Sequence, residues 1–298
     1  MSNIEWTDET WNPTAGCSRV SPGCENCYAE RQAIRMAGPK KKYQGLVRSG
    51  PKGPRWTGVV RLDRAALDIP LHWRKPRRIF VDSMSDLFHA ELTDLEIAEV
   101  FAVMVVQAQH TFQVLTKRSG RMRALMNDQA FADLVHGLLL SAFPPFTWPP
   151  PNVMLGVSVE SDDYVTRLLD LANTTAARRF VSMEPLLSEP KQILDWIYGL
   201  DWVIVGGESG PKARVCDQTW IAAVVDRCKE MRTPCFVKQL GDRSQTVLVD
   251  ASGKLSTHVP VTPRYSKGGN PVEWPERLRV RQWPDKEPFW SSEGKRRR

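Results

Sequence analysis

The sequence predicts an α/β protein, a complete or partial (β/α) barrel of mostly parallel strands, with inserted loops and a C-terminal extension. Three observations predict it. Short apolar, β-branched runs recur along the chain, most of them end in polar residues, and helix-like stretches follow them. Runs that are nearly continuous in apolar character suit strands buried on both faces of a parallel sheet. A doubly wound open sheet is the structural rival.

The elements follow in order. A first strand is expected near the N-terminus, and the next runs are GVVRL (58–62), RIFVDS (78–83) and FQVLT (112–116). NVMLGVSVE (152–160), RFVSME (179–184), DWVIVGGE (201–208) and PCFVKQ (234–239) complete the series, so about eight strands fit a barrel. Thr93-Asp94 caps a helix through LEIAEVFAVMVVQA, Ser161-Asp162 caps one through YVTRLLDLA, and Gln218 to Met231 reads as another. Three regions interrupt the alternation. Residues 38–58 form a basic, Gly/Pro-rich insertion, and SAFPPFTWPPP (141–151) is too proline-rich for a helix interior. Beyond residue 241 the pattern fades toward GKRRR. The expected organisation is therefore a barrel over 1–240 and a basic, partly disordered extension over 241–298.

Composition narrows the function classes. Hydrophobic residues at 42% and charged residues at 25% give the balance of a folded, soluble protein. No run reaches the length of a membrane span, and the acidic MSNIEWTDET start lacks the basic and apolar regions of a signal peptide, so a cytoplasmic protein with no membrane partner is expected. The net charge of +7 suits a polyanionic partner or serves solubility. A disulfide framework does not fit a reducing compartment, nor three of six cysteines crowded into residues 17–27.

That window is WNPTAGCSRVSPGCENCYAER, with spacing C-x6-C-x2-C. Three thiolates can bind three irons of a four-iron cluster and leave the fourth iron open. Zinc normally takes four ligands, or three and a water, and no histidine lies in the window. Gly16, Pro22 and Gly23 favour a wrapping loop, and a helix can begin at Tyr28. The remaining cysteines, Cys216, Cys228 and Cys235, are spaced C-x11-C-x6-C across a helix and a strand. They read as buried small hydrophobes, with an auxiliary cluster or a hydrogen-donor cysteine as alternatives.

The loop resembles the cluster-binding loop of the radical S-adenosylmethionine (SAM) superfamily. NPT-x-GC-x-x-VSPGC-x-x-CYAE is similar to a phage-associated branch with a widened first gap, and the similarity runs from Ile4 to about Gly241 through FVDSMSDLF, LTKR, LGVSVE, SMEPLL and VGGESG. Two features depart from the commoner pattern: the first gap is six residues, and Asn26 stands where an aromatic residue usually precedes the third cysteine. The resemblance implies a [4Fe-4S] cluster on Cys17, Cys24 and Cys27, SAM chelated at the open iron, and an external electron donor. It places SAM contacts at Ser83 and Asp86, by order along the chain. The family's GGE letters occur late here, at Gly206, Gly207 and Glu208, where two glycines allow close backbone approach. Strand-end geometry adds Lys117, Ser158, Glu160, Glu184 and Lys238 as candidates for SAM or a substrate anion, or as helix caps and loop partners.

The 38–58 insertion sets Lys40, Lys41, Lys42, Arg48, Lys52 and Arg55 beside Tyr43 and Trp56. Cations that bind phosphate next to rings that stack bases make a nucleic-acid surface, which Lys117-Arg118 and Arg121-Arg123 would extend. A base in duplex DNA would have to be flipped to enter a barrel. The sharpest expectation is an isomerase acting on glycine-modified thymine in phage DNA, working in the host cytoplasm. The alternatives are a radical SAM enzyme acting on a small molecule or peptide, and a non-enzymatic nucleic-acid-binding protein stabilised by a metal.

Overall fold

The computed structural model describes residues 4–139, 146–249, 255–261 and 264–284. Seven strands form one sheet: β1 (Glu9–Trp11), β2 (Arg78–Val81), β3 (Thr111–Thr116), β4 (Val153–Ser158), β5 (Arg178–Met183), β6 (Trp202–Gly206) and β7 (Cys235–Gln239). All neighbours are parallel, and the order in space is the order in the chain. The sheet curls into a half-barrel with β1 and β7 as its edges.

Alternation along the strands sorts two cores. Val153, Leu155 and Val157 face the helices together with Ile79, Val114, Val181 and Val203. Met154, Phe80, Phe180, Trp202 and Phe236 face the other way and enclose Trp6. The Trp6 ring lies 4.6 Å from Phe80 and 5.9 Å from Trp202, which gives the concave side an aromatic floor. Toward the strand ends the inward positions become small or polar. A Cβ on Gly156 would lie 2.5 Å from the Phe180 ring. Apolar burial on both faces is why these strands were legible as continuous runs.

The helices are α1 (Tyr28–Arg35), α2 (Asp94–Val106), α3 (Ser119–Met126), α4 (Gln129–Leu139), α5 (Thr166–Ala172) and α6 (Gln218–Met231). Thr93 begins α2 with a capping box, its hydroxyl accepting the Glu96 N–H at 3.2 Å while Glu96 accepts the Thr93 N–H at 2.8 Å. Asp217 caps α6 by accepting the Thr219 N–H at 2.8 Å. Among the described residues no helix is long and apolar enough to cross a membrane.

Three expectations need correction. GVVRL is not a strand of the barrel: only Arg61–Leu62 is extended, and it pairs antiparallel with Thr14–Ala15. Val59 is exposed while Val60 is buried, the one-sided pattern of a short ladder lying outside the main sheet. Ser161 does not cap α5. A 3-10 turn over Asp162–Tyr164 intervenes, and the Asp162 carboxylate instead accepts the N–H groups of Lys191, Gln192 and Ile193. The fading pattern after residue 241 also conceals packed structure. A hairpin of Ser244–Val249 and Leu255–Val261 pairs with Cys216–Asp217. Residues 264–284 then return to the barrel, burying Trp274 and Leu278 and setting Gln282 and Val280 along the edge of β7. The start of the proline-rich segment (residues 141–145) and the GKRRR end lie outside the described residues.

Candidate metal centre

The cysteine loop leaves β1 through Asn12 and lies across the C-terminal ends of the strands. Gly16 is required at its turn: φ is +96°, and a Cβ would sit 2.2 Å from the Val59 carbonyl oxygen. A 3-10 turn carries Cys24, and Cys27 occupies the N-cap position of α1. All three thiols are free and half-buried. Burial first, then Asp86 and the other two thiols, push the Cys17 thiol up to about 12 against the opposing pull of the Arg118 guanidinium. Burial also raises Cys27, while the Glu30 and Ala29 N–H groups at the start of α1 pull it back without forming a cap hydrogen bond.

Strand-end residues clamp the loop. After β4, Glu160 is fully buried, pairs with Arg167 at 2.8 Å and accepts the Gly23 N–H at 3.3 Å. After β6, Glu208 accepts from Asn26 Nδ2 at 3.0 Å and pairs with Arg214 at 2.5 Å. Burial would raise the Glu208 carboxyl, but the hydrogen bonds from Arg214 and Asn26 prevail and hold it below the usual range. After β2, Ser83 Oγ donates to Asn12 Oδ1 at 3.1 Å, and Tyr28 OH donates to the Ser83 carbonyl. After β3, Arg118 joins Asp86 to the Cys17–Ser18 stretch. The Asn26 departure thus has a structural role, because its amide also donates to the Lys212 carbonyl at 2.9 Å.

The donor set suits a cluster. Among the described residues no three His, Cys, Asp or Glu side chains gather as a single metal ion would need. A four-iron cluster does not require that convergence, since each thiolate bonds a different iron. It takes three thiols from one loop, and here Cys27 and Cys24 both raise the Cys17 thiol while Cys24 raises Cys27.

The family model described as a protein of unknown function, DUF5131, matches residues 1–266. The chain belongs to that family. No curated protein matches it. Among solved structures, a mutant of spore photoproduct lyase is similar at 11% identity and a TM-score of 0.39, over 86% of this chain and 68% of that one. So low a score leaves the parallel strand order as the ground for the fold class.

Placement of the remaining candidates is uneven. Asp86 has both oxygens occupied, Oδ1 by Thr116 Oγ1 and the Phe88 N–H, Oδ2 by the Lys117 N–H and Arg118. The Ser158 carbonyl accepts from Arg167. Glu184 pairs with Lys238 at 3.1 Å at the ends of β5 and β7. A Cβ at Gly206 or Gly207 would meet Gln239 O at 3.1 Å or Leu240 O at 2.3 Å, so the close approach at these glycines is by the protein's own backbone. In the basic insertion, Tyr43 and Trp56 are buried, with ring centroids 6.2 Å apart, and they anchor the loop rather than offer open faces for stacking. Lys42 pairs with Asp63 at 2.8 Å and Arg55 with Glu30 at 3.7 Å, whereas Lys40, Lys41, Arg48 and Lys52 are exposed. Arg118 and Arg121 are likewise tied down, Arg121 by the His89 and Leu92 carbonyls and Asp94. Arg123 pairs with Asp170 at 3.1 Å. Cys216, Cys228 and Cys235 are buried in the core facing the helices.

Asn12, Ser18, Glu30, His89 and Arg167 were not singled out by the sequence. Asn12, Ser18 and His89 act on partners some 70 to 100 residues away, while Glu30 and Arg167 gather partners from neighbouring turns and strands. Glu30, for example, binds Arg19, Arg55 and the Trp56 N–H together, and no local spacing announces such a junction.

Proposed function

We propose that the chain holds a [4Fe-4S] cluster through Cys17, Cys24 and Cys27 and performs radical SAM chemistry on a nucleic-acid base. The observation that carries the reading is the clamped loop: three neighbouring half-buried thiols, with no fourth Cys or His in the cysteine window, set over the polar ends of a parallel half-barrel. A cluster held by Cys17, Cys24 and Cys27 and reduced by an external donor would supply one-electron chemistry for the reductive cleavage of SAM and hydrogen abstraction from an unactivated carbon. The chain's residues do the rest. Glu160, Asn26 and Arg118 fix the loop, the Glu184–Lys238 pair and Lys117 offer charges to SAM or substrate, and the aromatic floor around Trp6 closes the barrel beneath the site to water.

Lys40, Lys41, Arg48 and Lys52 remain exposed on the insertion that packs beside the loop, which favours a polyanionic substrate. The narrowest form of the proposal, an isomerase acting on glycine-modified thymine in phage DNA, rests on the resemblance of the cysteine loop. Anaerobic reconstitution with SAM and reductant tests the chemistry. About four irons per chain and 5′-deoxyadenosine formation, both lost on Cys17→Ala, are expected. Stoichiometric zinc without SAM cleavage would leave a metal-stabilised binding protein instead. Adding single-stranded DNA that carries the modified base distinguishes a nucleic-acid substrate from a small molecule or peptide.

A further inference from the structure

The arginine that ends the β3 corner is bound up in a way that a simple loop anchor does not require. Arg118 Nη1 donates to Asp86 Oδ2 at 2.8 Å and approaches Cys17 Sγ at 3.9 Å, while Nη2 donates to Ser18 O at 3.0 Å and Ser18 Oγ at 2.8 Å. These four contacts match the four hydrogens on the two terminal nitrogens, so the fork is not available to a substrate anion. The group is well sheltered, with the Arg118 side chain 13% exposed and Asp86 7%. Ser18 is fixed from its other side by His89. The Glu91 N–H donates to Nδ1 at 3.2 Å, so Nε2 carries the hydrogen and donates to Ser18 Oγ at 2.8 Å.

A guanidinium stays charged at any working pH, and here it sits at one thiol of three. Cluster potentials respond to net charge, to hydrogen bonds at the sulfurs and to solvent exposure. Groups outside the ligand set tune a metal centre through those same levers. Asp86 works against the arginine: it orients the fork and partly cancels its field. We propose that Arg118 is a positioning residue that raises the reduction potential of a cluster bound at Cys17, and that Asp86 moderates the effect. The inference rests on the cluster reading above.

The two residues predict shifts of opposite sign, which general loosening of the loop does not. The full-length chain is reconstituted anaerobically, its iron and sulfide are counted, and the cluster is titrated potentiometrically with electron paramagnetic resonance as the readout. Arg118→Gln should lower the reduced-to-oxidised ratio at a fixed poise by about tenfold, a shift of about 59 mV for one electron. Arg118→Lys, which keeps the charge but loses the fork, should recover most of it. Asp86→Asn should shift the potential upward. An unchanged potential in Arg118→Gln, or a fall in Asp86→Asn, overturns the inference. If Arg118→Gln takes up no iron, the sign of the Asp86→Asn shift decides alone. If the wild-type chain takes up no iron, the cluster reading itself has failed, and the iron count reports that separately.

Discussion

Asp82 combines three costs at one position. It stands directly after β2 with φ +58°, it is 3% exposed, and its Oδ2 has no hydrogen-bond partner although Oδ1 accepts the Thr14 N–H at 3.1 Å. Burial pushes its carboxyl up to about 7, against the pull of Thr14 and Lys42. The sign follows from linkage. Between the unfolded value of 3.8 and about 7, the folded state holds a proton that the unfolded state has released. The contribution to stability is therefore complete below the lower value and is lost as pH rises through the upper one. Asn resembles the protonated acid and tolerates the left-handed region well. Asp82→Asn should therefore stabilise the protein relative to wild type by on the order of a few kcal/mol at pH 8 and by much less at pH 4. Urea unfolding at the two pH values measures the difference, and a gain independent of pH would refute the assignment. At this scale the three cysteines were legible because one loop carries them all. Arg118, Glu30 and Asp82 were not, because their significance comes from partners brought together only by the barrel.

At the scale of elements, legibility followed how local the signal was. Strands β2 to β7 announced themselves through apolar runs, since burial on both faces leaves few polar interruptions. The α2 start was legible because Thr93 acts on an N–H group three residues away, and the structure adds Asp217 as the cap of the α6 helix read over 218–231. The α5 start was misread because Asp162 turns its carboxylate to residues 191–193, a choice made by tertiary structure. The α2 cap also matters beyond its own helix: Phe101 of α2 packs edge-on against Phe131 of α4 at 5.7 Å, so the first turn of α2 helps hold the outer layer. Thr93→Ala removes one side of the capping box and should cost about 1 kcal/mol. The expected drop in Tm is about 2–4 °C. Thermal unfolding checks it, with amide exchange at Glu96 as the local report; an unchanged exchange rate there would mean that the box carries no load.

For the whole molecule, the boundary expected at residue 240 is the reading most in need of a test. The sequence after 241 has few consecutive apolar residues, so its isolated tryptophans look like surface features. In the structure Trp274 and Trp283 pack against the barrel. Trp274 is 2% exposed, Leu278 is fully buried, and Trp283 packs on Phe236 at 4.9 Å while donating to the Trp6 carbonyl at 3.2 Å. The backbone of the same segment satisfies the core: Val237 N–H donates to Val280 O, and Trp202 Nε1 donates to Gln282 O, both at 2.8 Å. A chain ending at residue 240 would lose the burial of Trp274 and Leu278, about 1.5–3 kcal/mol for an apolar side chain the size of leucine. It would also replace two inner protein hydrogen bonds with bonds to water, at about 0.5–1.5 kcal/mol apiece. Those losses together approach the whole net stability of an ordinary domain, about 5–15 kcal/mol. The truncated chain should therefore lose its cooperative thermal transition and associate through the exposed floor. Trp274→Ala in the full chain should retain the transition but lower its midpoint. A 1–240 chain that unfolds cooperatively near the full-length Tm would show that the half-barrel is self-sufficient and that the returning segment is an attachment to it.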